Sequence, residues 1–158
     1  MQKNIIEIPN YKSITLTNIV LDYNGTIAKD GILKEELQIL LPKLLEIYKV
    51  HVITADTFGS VKKELKDFDV LVKVLKSDNH TQEKADYVKS LNEKNCVAVG
   101  NGANDKLMLK IAEVGIALLG DEGCNLETLV ASDIVCKSIS EALELFIYKK
   151  RLIATLRI

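Results

Sequence analysis

Short apolar runs of strand type alternate with segments of helical periodicity along the chain, and this alternation restricts the fold more than any other feature. The predicted strands are IIEI, SITLTNIVLD, KVHVITAD, VLVKVL, NCVAVGNG, VGIALLG and DIVCK. The predicted helices are KEELQILLPKLLEIYKV, FGSVKKELKDF, TQEKADYVKSLNEK, ANDKLMLKIAEV, NLETLVAS and SISEALELFIYKKRL. Because strands separated by helices form parallel sheets, the pattern predicts a three-layer α/β/α sandwich with a mainly parallel, Rossmann-like sheet. The runs VLV and VAV are apolar throughout, which is typical of strands covered on both faces.

Local signals predict where several elements begin and end. Pro9-Asn10 breaks the first apolar run, so residues 1–18 are expected to form an N-terminal strand or hairpin. Pro42 predicts a kink or break in the first long helix, and Thr81 is a candidate N-cap. No repeat, low-complexity segment or linker divides the chain, so residues 1–158 are expected to form one domain.

Composition excludes several classes of function. The formal net charge of -1 gives no electrostatic reason to expect nucleic acid as a partner. No stretch is apolar for long enough to predict a membrane span, and the N-terminus lacks the apolar core of a signal peptide. The 3 cysteines are odd in number and far apart, which favours free thiols and a cytoplasmic location.

Polar side chains follow the predicted strands at the points where these strands end. They are Asp22, Asn24, Thr26, Thr54, Asp56, Asn101, Asn104 and Asp105. Lys84 opens the helix that leads into the strand VAV. Because ligands of open parallel sheets bind beyond the carboxyl ends of the strands, we expect these side chains to lie close together.

These groups have one natural joint use, which is phosphoryl transfer. A carboxylate can attack phosphorus and become an acyl phosphate, and Mg²⁺ prefers oxygen ligands. A lysine and a threonine hydroxyl can hold phosphoryl oxygens as negative charge spreads in the transition state. Glycines, as in GNGAND, let backbone N–H groups approach the phosphate.

Four segments, in order, resemble the motifs of the haloacid dehalogenase-like (HAD) superfamily. LDYNGT resembles its DxDGT, VITAD its strand ending in Thr or Ser, TQEK supplies its lysine, and VAVGNGAND resembles its GDGxND. Within the superfamily the chain is most similar to the phosphorylation domain of P-type ATPases, whose DKTGT and TGD correspond to DYNGT and TAD. The resemblance extends from about Ile19 to Arg151 and implies a HAD-type fold and an aspartyl-phosphate intermediate.

The resemblance assigns roles to particular residues. It implies that Asp22 is the nucleophile, that Asn24 stands where phosphatases carry a general acid/base, and that Thr54 and Lys84 hold the phosphoryl group. The implied Mg²⁺ ligands are Asp22, the backbone carbonyl of Asn24 and Asn101, with Asp105 in support.

Two features of the resembling families are missing from the sequence. The segment between Thr26 and Thr54 is too short for the nucleotide-binding insert of the pumps, and the superfamily's large cap domain has no room either. The resemblance therefore implies a stand-alone catalytic core that acts on a small phosphorylated molecule. A second copy of the chain, forming a homo-oligomer, is a candidate to cover the capless site.

Two amides replace carboxylates, and each has an expected consequence. An amide cannot transfer protons, so Asn24 predicts slow hydrolysis of the aspartyl phosphate, and Asn24→Asp should raise turnover. Asn101 brings no charge to the metal, so Asn101→Asp should tighten Mg²⁺ binding.

Plainer interpretations remain open for single residues and for the whole chain. Asp56 is expected to be a loop cap rather than a catalytic group, and Asn104 and Asp105 could cap the following helix. The segment LIATL near the C-terminus could dock onto the body of the molecule or onto another subunit. Besides an enzyme, the chain could be a phosphorylatable or phosphate-binding signalling module with little turnover, or a scaffold that binds a partner protein.

Overall fold

The computed structural model describes residues 4–158, in which six parallel strands form a central sheet. The strands of the chain are β1 (Ile5–Glu7), β2 (Ser13–Thr15), β3 (Asn18–Asp22), β4 (Ala28–Lys29), β5 (Ile32–Leu33), β6 (Lys49–Thr54), β7 (Leu71–Val74), β8 (Cys96–Gly100), β9 (Val114–Leu118) and β10 (Ile134–Cys136). The α-helices are α1 (Leu37–Leu45), α2 (Ser60–Glu64), α3 (His80–Ser90), α4 (Lys106–Ile111), α5 (Leu126–Ala131), α6 (Ile139–Ile147) and α7 (Lys149–Leu156).

The central sheet has the strand order β10-β9-β8-β3-β6-β7, and every neighbouring pair is parallel. Helices α1, α2, α6 and α7 cover one face, and α3, α4 and α5 cover the other. The predicted three-layer α/β/α sandwich with a parallel sheet is therefore confirmed. Because β3 lies in the middle of the sheet, its carboxyl end opens between the ends of β6 and β8.

Alternate residues of β3 serve the two cores of the molecule. Ile19 and Leu21 point to the face covered by α1 and α6, whereas Val20 points to the face covered by α3 and α4, and all three are fully buried. Full burial of such a side chain stabilises the fold by about 1.5–3 kcal/mol. The strand that carries Asp22 is thereby fixed from both faces.

The run VLV does not form a doubly covered strand, and that prediction is wrong. It contributes to β7, which lies at the edge of the sheet and keeps Leu71 exposed and the following residues half-buried. An apolar run indicates that a strand is hydrophobic but does not indicate its position in the sheet. The edge position of β7 could therefore not be predicted from the sequence.

Two predicted boundaries also differ from the observed ones, and the helix containing Pro42 is not broken. The run SITLTNIVLD divides into β2, which pairs with β1 in an antiparallel hairpin, and β3, which enters the central sheet. The cap of α3 is Asn79, whose side chain accepts a hydrogen bond from the Gln82 backbone, and not Thr81. Pro42 lies inside α1 without ending it.

The last predicted helix is two helices, because Tyr148 leaves the helical conformation with φ −106° and ψ 74°. The change of direction lets α7 pack against β1 and bury Leu152, with Ile153 and Leu156 partly buried against the same core. The C-terminal segment therefore docks onto the body of the molecule.

A short hairpin, β4–β5, is the only structure between β3 and α1, and it stands beside the carboxyl end of the sheet. The buried Tyr23 side chain holds this hairpin in place, because the Tyr23 hydroxyl donates to the Gly31 carbonyl in its turn at 3.0 Å. The segment between β3 and α1 thus holds no large cap domain, as expected. No helix in the described part of the chain has both the length and the apolar character needed to cross a bilayer.

Candidate active site

Asp22 is the last residue of β3, and its two carboxylate oxygens have different partners. Lys84 Nζ donates to Oδ1 at 2.7 Å, and the Thr26 hydroxyl donates to Oδ2 at 3.3 Å. The carboxylate is 13% exposed, so it remains accessible from the end of the sheet. The structure therefore brings together residues that the sequence placed in two separate motifs.

Lys84 lies in the first turns of α3, with its side chain only 3% exposed. Its ammonium group donates to Asp22 Oδ1 at 2.7 Å, Asp105 Oδ1 at 2.7 Å and Asn104 Oδ1 at 3.1 Å. These three acceptors use all three N–H bonds. The neighbouring Lys89 instead has a 54% exposed side chain, so α3 directs only Lys84 to Asp22.

Burial and charge perturb both partners of this pair. Burial, with the nearby Asp105 carboxylate, raises the pKa of Asp22 to about 7, although Lys84 and Thr26 oppose the shift. Burial alone would lower the pKa of Lys84, but the charges of Asp22 and Asp105 and its hydrogen bonds to them outweigh burial and raise it. Two carboxylates face one ammonium in the ionised site, so one negative charge is left without a partner.

Asp105 is fully buried and holds the glycine turn after β8 in place. Its Oδ2 accepts from the backbone N–H groups of Asn101 at 3.0 Å and Gly102 at 2.9 Å, while Oδ1 accepts from Lys84. A Cβ on Gly100 would lie 2.5 Å from this Oδ2, so only glycine leaves room for the carboxylate. Asp105 therefore positions the loop and the lysine, and its side chain makes no capping bond to α4.

Asn101 presents its amide in a defined orientation. Its Nδ2 donates to the Gly123 carbonyl at 3.1 Å, and its Oδ1 lies 3.4 Å from the Thr26 hydroxyl oxygen, whose one hydrogen it shares with Asp22 Oδ2. The amide oxygen consequently faces the same threonine as Asp22 Oδ2. The amide nitrogen ties the turn after β8 to the loop after β9.

Gly25 lies against the side chains of Asn101 and Glu122, which come from two different loops. Its φ of +78° favours glycine, and a Cβ there would lie 2.9 Å from Asn101 Nδ2, 3.0 Å from Asn101 Oδ1 and less than 3.0 Å from Glu122 Oε2. Glu122 thus reaches the site from the loop after β9, which sequence reasoning missed. The available signal was its place beyond the carboxyl end of a predicted strand, but one acidic loop residue is normally just solvated.

Thr54 ends β6 and is 3% exposed. Its hydroxyl oxygen accepts from the Asp56 backbone N–H at 3.0 Å, which leaves the hydroxyl hydrogen available for another acceptor. Asp56 accepts from Phe58 N, Ser60 Oγ and Val61 N, and these bonds lower the pKa of its carboxyl group. The prediction that Asp56 is a loop cap is confirmed.

A cavity of about 250 Å³ opens over these groups and is lined by residues that include Asp22, Asn24, Thr54, Lys84, Asn101 and Glu122. Thr54 and Leu75 also line a neighbouring groove of about 470 Å³, so the two spaces adjoin. Lys62 and Lys76 contribute to the groove. The site is therefore a small polar cavity with a larger, partly basic extension.

The oxygen groups of the cavity fit Mg²⁺. Within residues 4–158, no three Asp, Glu, His or Cys side chains cluster closely enough to hold a metal by themselves. Mg²⁺ usually takes one or two carboxylates and completes its shell with other oxygens, phosphate and water. Asp22, Asn101 and Asn24 line the cavity and offer such oxygens, the last through its backbone carbonyl, beside an uncompensated negative charge.

Comparison with known sequences identifies a relative of this chain. No model of a known protein family matches the chain. An uncharacterised protein of Methanocaldococcus jannaschii is 50% identical over 64 residues, which are 40% of this chain and 69% of that protein.

Comparison with solved structures identifies the fold. A 3-deoxy-D-manno-octulosonate 8-phosphate phosphatase from Moraxella catarrhalis, solved in complex with magnesium, phosphate and KDO, matches 90% of this chain and 94% of its own, with a TM-score of 0.70 and 17% identity. A zinc-transporting PIB-type ATPase matches 77% of this chain and 20% of the pump, with a TM-score of 0.62 and 21% identity. At these identities the likeness is one of fold, and it confirms the predicted HAD-like architecture.

Proposed function

This chain belongs to the same family as the uncharacterised Methanocaldococcus jannaschii protein, and from its HAD-like fold and the geometry of its site we propose that it is a Mg²⁺-dependent phosphohydrolase or phosphotransferase. Its substrate is a small phosphorylated molecule, and Asp22 carries the phosphoryl group as an aspartyl phosphate. The observation that carries the proposal is the Asp22 carboxylate at the mouth of β3, within 2.7 Å of the Lys84 ammonium.

In the first step, a carboxylate oxygen of Asp22 attacks phosphorus and forms a new O–P bond. The bond from phosphorus to the leaving oxygen breaks, and that oxygen departs with the electron pair. Lys84 and Thr54 both line the cavity. The Lys84 ammonium places its positive charge beside the attacking carboxylate, and the free hydroxyl hydrogen of Thr54 binds a phosphoryl oxygen as charge develops.

The leaving group departs without general acid catalysis from Asn24, which lies two residues after the nucleophile. The Asn24 side chain is exposed, but an amide neither donates nor accepts a proton at neutral pH. The leaving oxygen must take its proton from solvent, so substrates with acidic leaving groups react best. Acetyl phosphate and aryl phosphates meet this requirement.

In the second step, water attacks phosphorus, the O–P bond to Asp22 breaks, and inorganic phosphate leaves. No general base at position 24 removes the proton of that water, so this step is the slower one. General acid–base help is typically worth about 10²–10⁴-fold in rate, and its loss makes the aspartyl phosphate long-lived.

Mg²⁺ would be held by Asp22, the Asn24 carbonyl and Asn101, and when bound it neutralises charge on the phosphoryl oxygens. Asp105 supports this arrangement indirectly, because both of its oxygens are occupied by Lys84 and the turn after β8. The adjoining groove of about 470 Å³, with Lys62 and Lys76 at its wall, is where the leaving group extends.

A signalling module that is phosphorylated but barely turns over is the second candidate. The absence of a carboxylate at Asn24 favours it, since the same substitution that slows the second step also preserves the phosphorylated state. The two candidates share Asp22 phosphorylation and differ only in how fast phosphate is released.

Incubation with acetyl phosphate and Mg²⁺ tests the proposal and separates the two candidates. Continuous phosphate release that is lost in Asp22→Asn supports the enzyme. A burst of one phosphate per chain followed by a stall supports the module. Neither release nor a burst, from protein that is folded and saturated with Mg²⁺, would overturn both.

A further inference from the structure

We infer that Glu122 supplies a second carboxylate to the cation site, in place of the charge that Asn101 lacks. The inference rests on the proposed function, because the cation is the one held beside Asp22. It assigns Glu122 as a direct or water-bridged ligand of that cation, and gives the loop after β9 a part in binding it.

The first observation is the position of the Glu122 carboxylate. A Cβ on Gly25 would come within 3.0 Å of Glu122 Oε2 and of both Asn101 side-chain atoms, Oδ1 at 3.0 Å and Nδ2 at 2.9 Å. The carboxylate and the amide therefore lie next to each other, both close to Gly25. Glu122 also lines the cavity that contains Asp22 and Lys84.

The second observation is that the loop is held at the site by several contacts. Asn101 Nδ2 donates to the Gly123 carbonyl at 3.1 Å, and Asn125 N donates to the Asn101 carbonyl at 2.8 Å. On its outer side, Asp121 forms an ion pair with Lys34 at 3.4 Å. Glu122 lies between these attachments, so its place beside the cavity is held from both sides, and its side chain is exposed.

The third observation links the amide at position 101 to the acid at position 122. An aspartate at 101 would place a carboxylate oxygen near the Gly123 carbonyl, where two acceptors repel each other. The amide NH₂ group removes that repulsion and attaches the loop. Glu122 belongs to the same loop. The carboxylate that position 101 lacks in the turn after β8 is thus supplied by Glu122 in the loop after β9.

Electrostatics favour a cation between these groups. In the ionised site Asp22 and Asp105 share one ammonium, and Glu122 adds a further negative charge without an ion-pair partner among the side chains described. A divalent cation needs such an excess, because Mg²⁺ sites normally include one or two carboxylates.

Mn²⁺ binding to the full chain without substrate tests the assignment, with free Mn²⁺ measured by electron paramagnetic resonance. Glu122→Gln keeps the shape of the side chain and removes its charge. We expect its Mn²⁺ affinity to fall about tenfold or more, within the range that lost ligand support typically costs. The matched control is Asp121→Asn, which removes one charge from the same loop and should change affinity by about twofold or less, since it faces Lys34.

Equal affinities of Glu122→Gln and the native chain would overturn the assignment, and so would equal losses in both variants, which would indicate only the overall charge of the loop. Thermal unfolding of each variant without metal checks that it folds. Phosphorylation by acetyl phosphate is measured separately. If Asp22 is never phosphorylated while Mn²⁺ affinity depends on Glu122, the proposed function fails and the metal assignment stands.

Discussion

Lys84 Nζ lies 2.7 Å from Asp22 Oδ1, although the residues are 62 positions apart in the sequence. The contact joins the end of the central strand to the start of α3 and buries an ammonium group almost completely. A buried ammonium needs partners, and Asp22, Asp105 and Asn104 provide all of them.

Replacing this lysine should therefore damage both chemistry and stability. Lys84→Met removes the cation that faces the phosphoryl group and leaves two carboxylates buried together. We expect phosphorylation of Asp22 to slow by about a hundredfold or more, and the free energy of unfolding to fall by about 3 kcal/mol. Phosphorylation kinetics and urea unfolding measure the two effects. Lys89→Met, on the exposed face of α3, is the control, and an unchanged phosphorylation rate in Lys84→Met would contradict the role given to Lys84.

Restoring the missing acid should accelerate turnover. Asn24→Asp places a group that transfers protons two residues after the nucleophile, so we expect phosphate release to rise by about tenfold or more. Single-turnover decay of the phosphorylated protein reports the affected step. Asn24→Ser is the control for loss of the amide alone. Decay in Asn24→Asp that is no faster than in the native chain would show that Asn24 does not limit the second step.

A carboxylate at position 101 should have opposite effects on metal binding and on stability. Asn101→Asp adds charge at the cation site and should tighten Mg²⁺ binding by several-fold, as titration calorimetry can measure. It also loses the hydrogen bond to Gly123, so the metal-free variant should unfold about 1–2 kcal/mol more easily. Unchanged affinity would argue against Asn101 as a ligand, and unchanged stability against the contribution of the loop contact.

His51 lies outside the candidate active site and should make the stability of the fold depend on pH. Its ring is buried against Tyr87 and Asn18, and burial, with a smaller contribution from Lys49, lowers its pKa from 6.5 to about 4. Below about pH 6.5, His51 is protonated in the unfolded chain but stays neutral in the folded one. The stability that neutral His51 contributes is therefore complete above that pH and is lost as the pH falls towards 4.

The size of this effect follows from the shift. The native chain should lose about 2 kcal/mol of unfolding free energy through His51 between about pH 7 and pH 5. His51→Gln keeps polar atoms for Tyr87 and Asn18 but does not titrate, so its stability should fall less over the same range. Parallel pH dependences of the two proteins in urea unfolding would contradict this assignment.

The sequence predicted the parts of the fold that depend on periodicity and on order. Asp22, Thr54 and Asn101 were expected to meet because parallel strands end at one edge of a sheet, and the structure brings them to one cavity. Periodicity does not specify strand order, so the edge position of β7 was missed. The break at Tyr148 was missed because the helical pattern of apolar residues continues through it.

The site was predictable where several motifs supported one another, and not where a single residue contributes. Lys84 was selected by motif order, and the structure places its ammonium beside Asp22, whereas Lys89 in the same helix is exposed. Asn79 and Thr81 are both acceptable caps, so composition alone could not choose between them. Glu122 belongs to no motif, and only the folded loop after β9 brings it beside Asn101.

Peptide mapping of acid-quenched protein tests the central claim most directly. After brief incubation with acetyl phosphate and Mg²⁺, we expect one phosphoryl group per chain, located by mass spectrometry on Asp22 and absent from Asp22→Asn. Borohydride reduction should convert the modified residue to homoserine, as expected for an acyl phosphate. A phosphoryl group on another residue, or none on Asp22 in folded, Mg²⁺-loaded protein, would contradict the claim that this carboxylate is the phosphoryl acceptor.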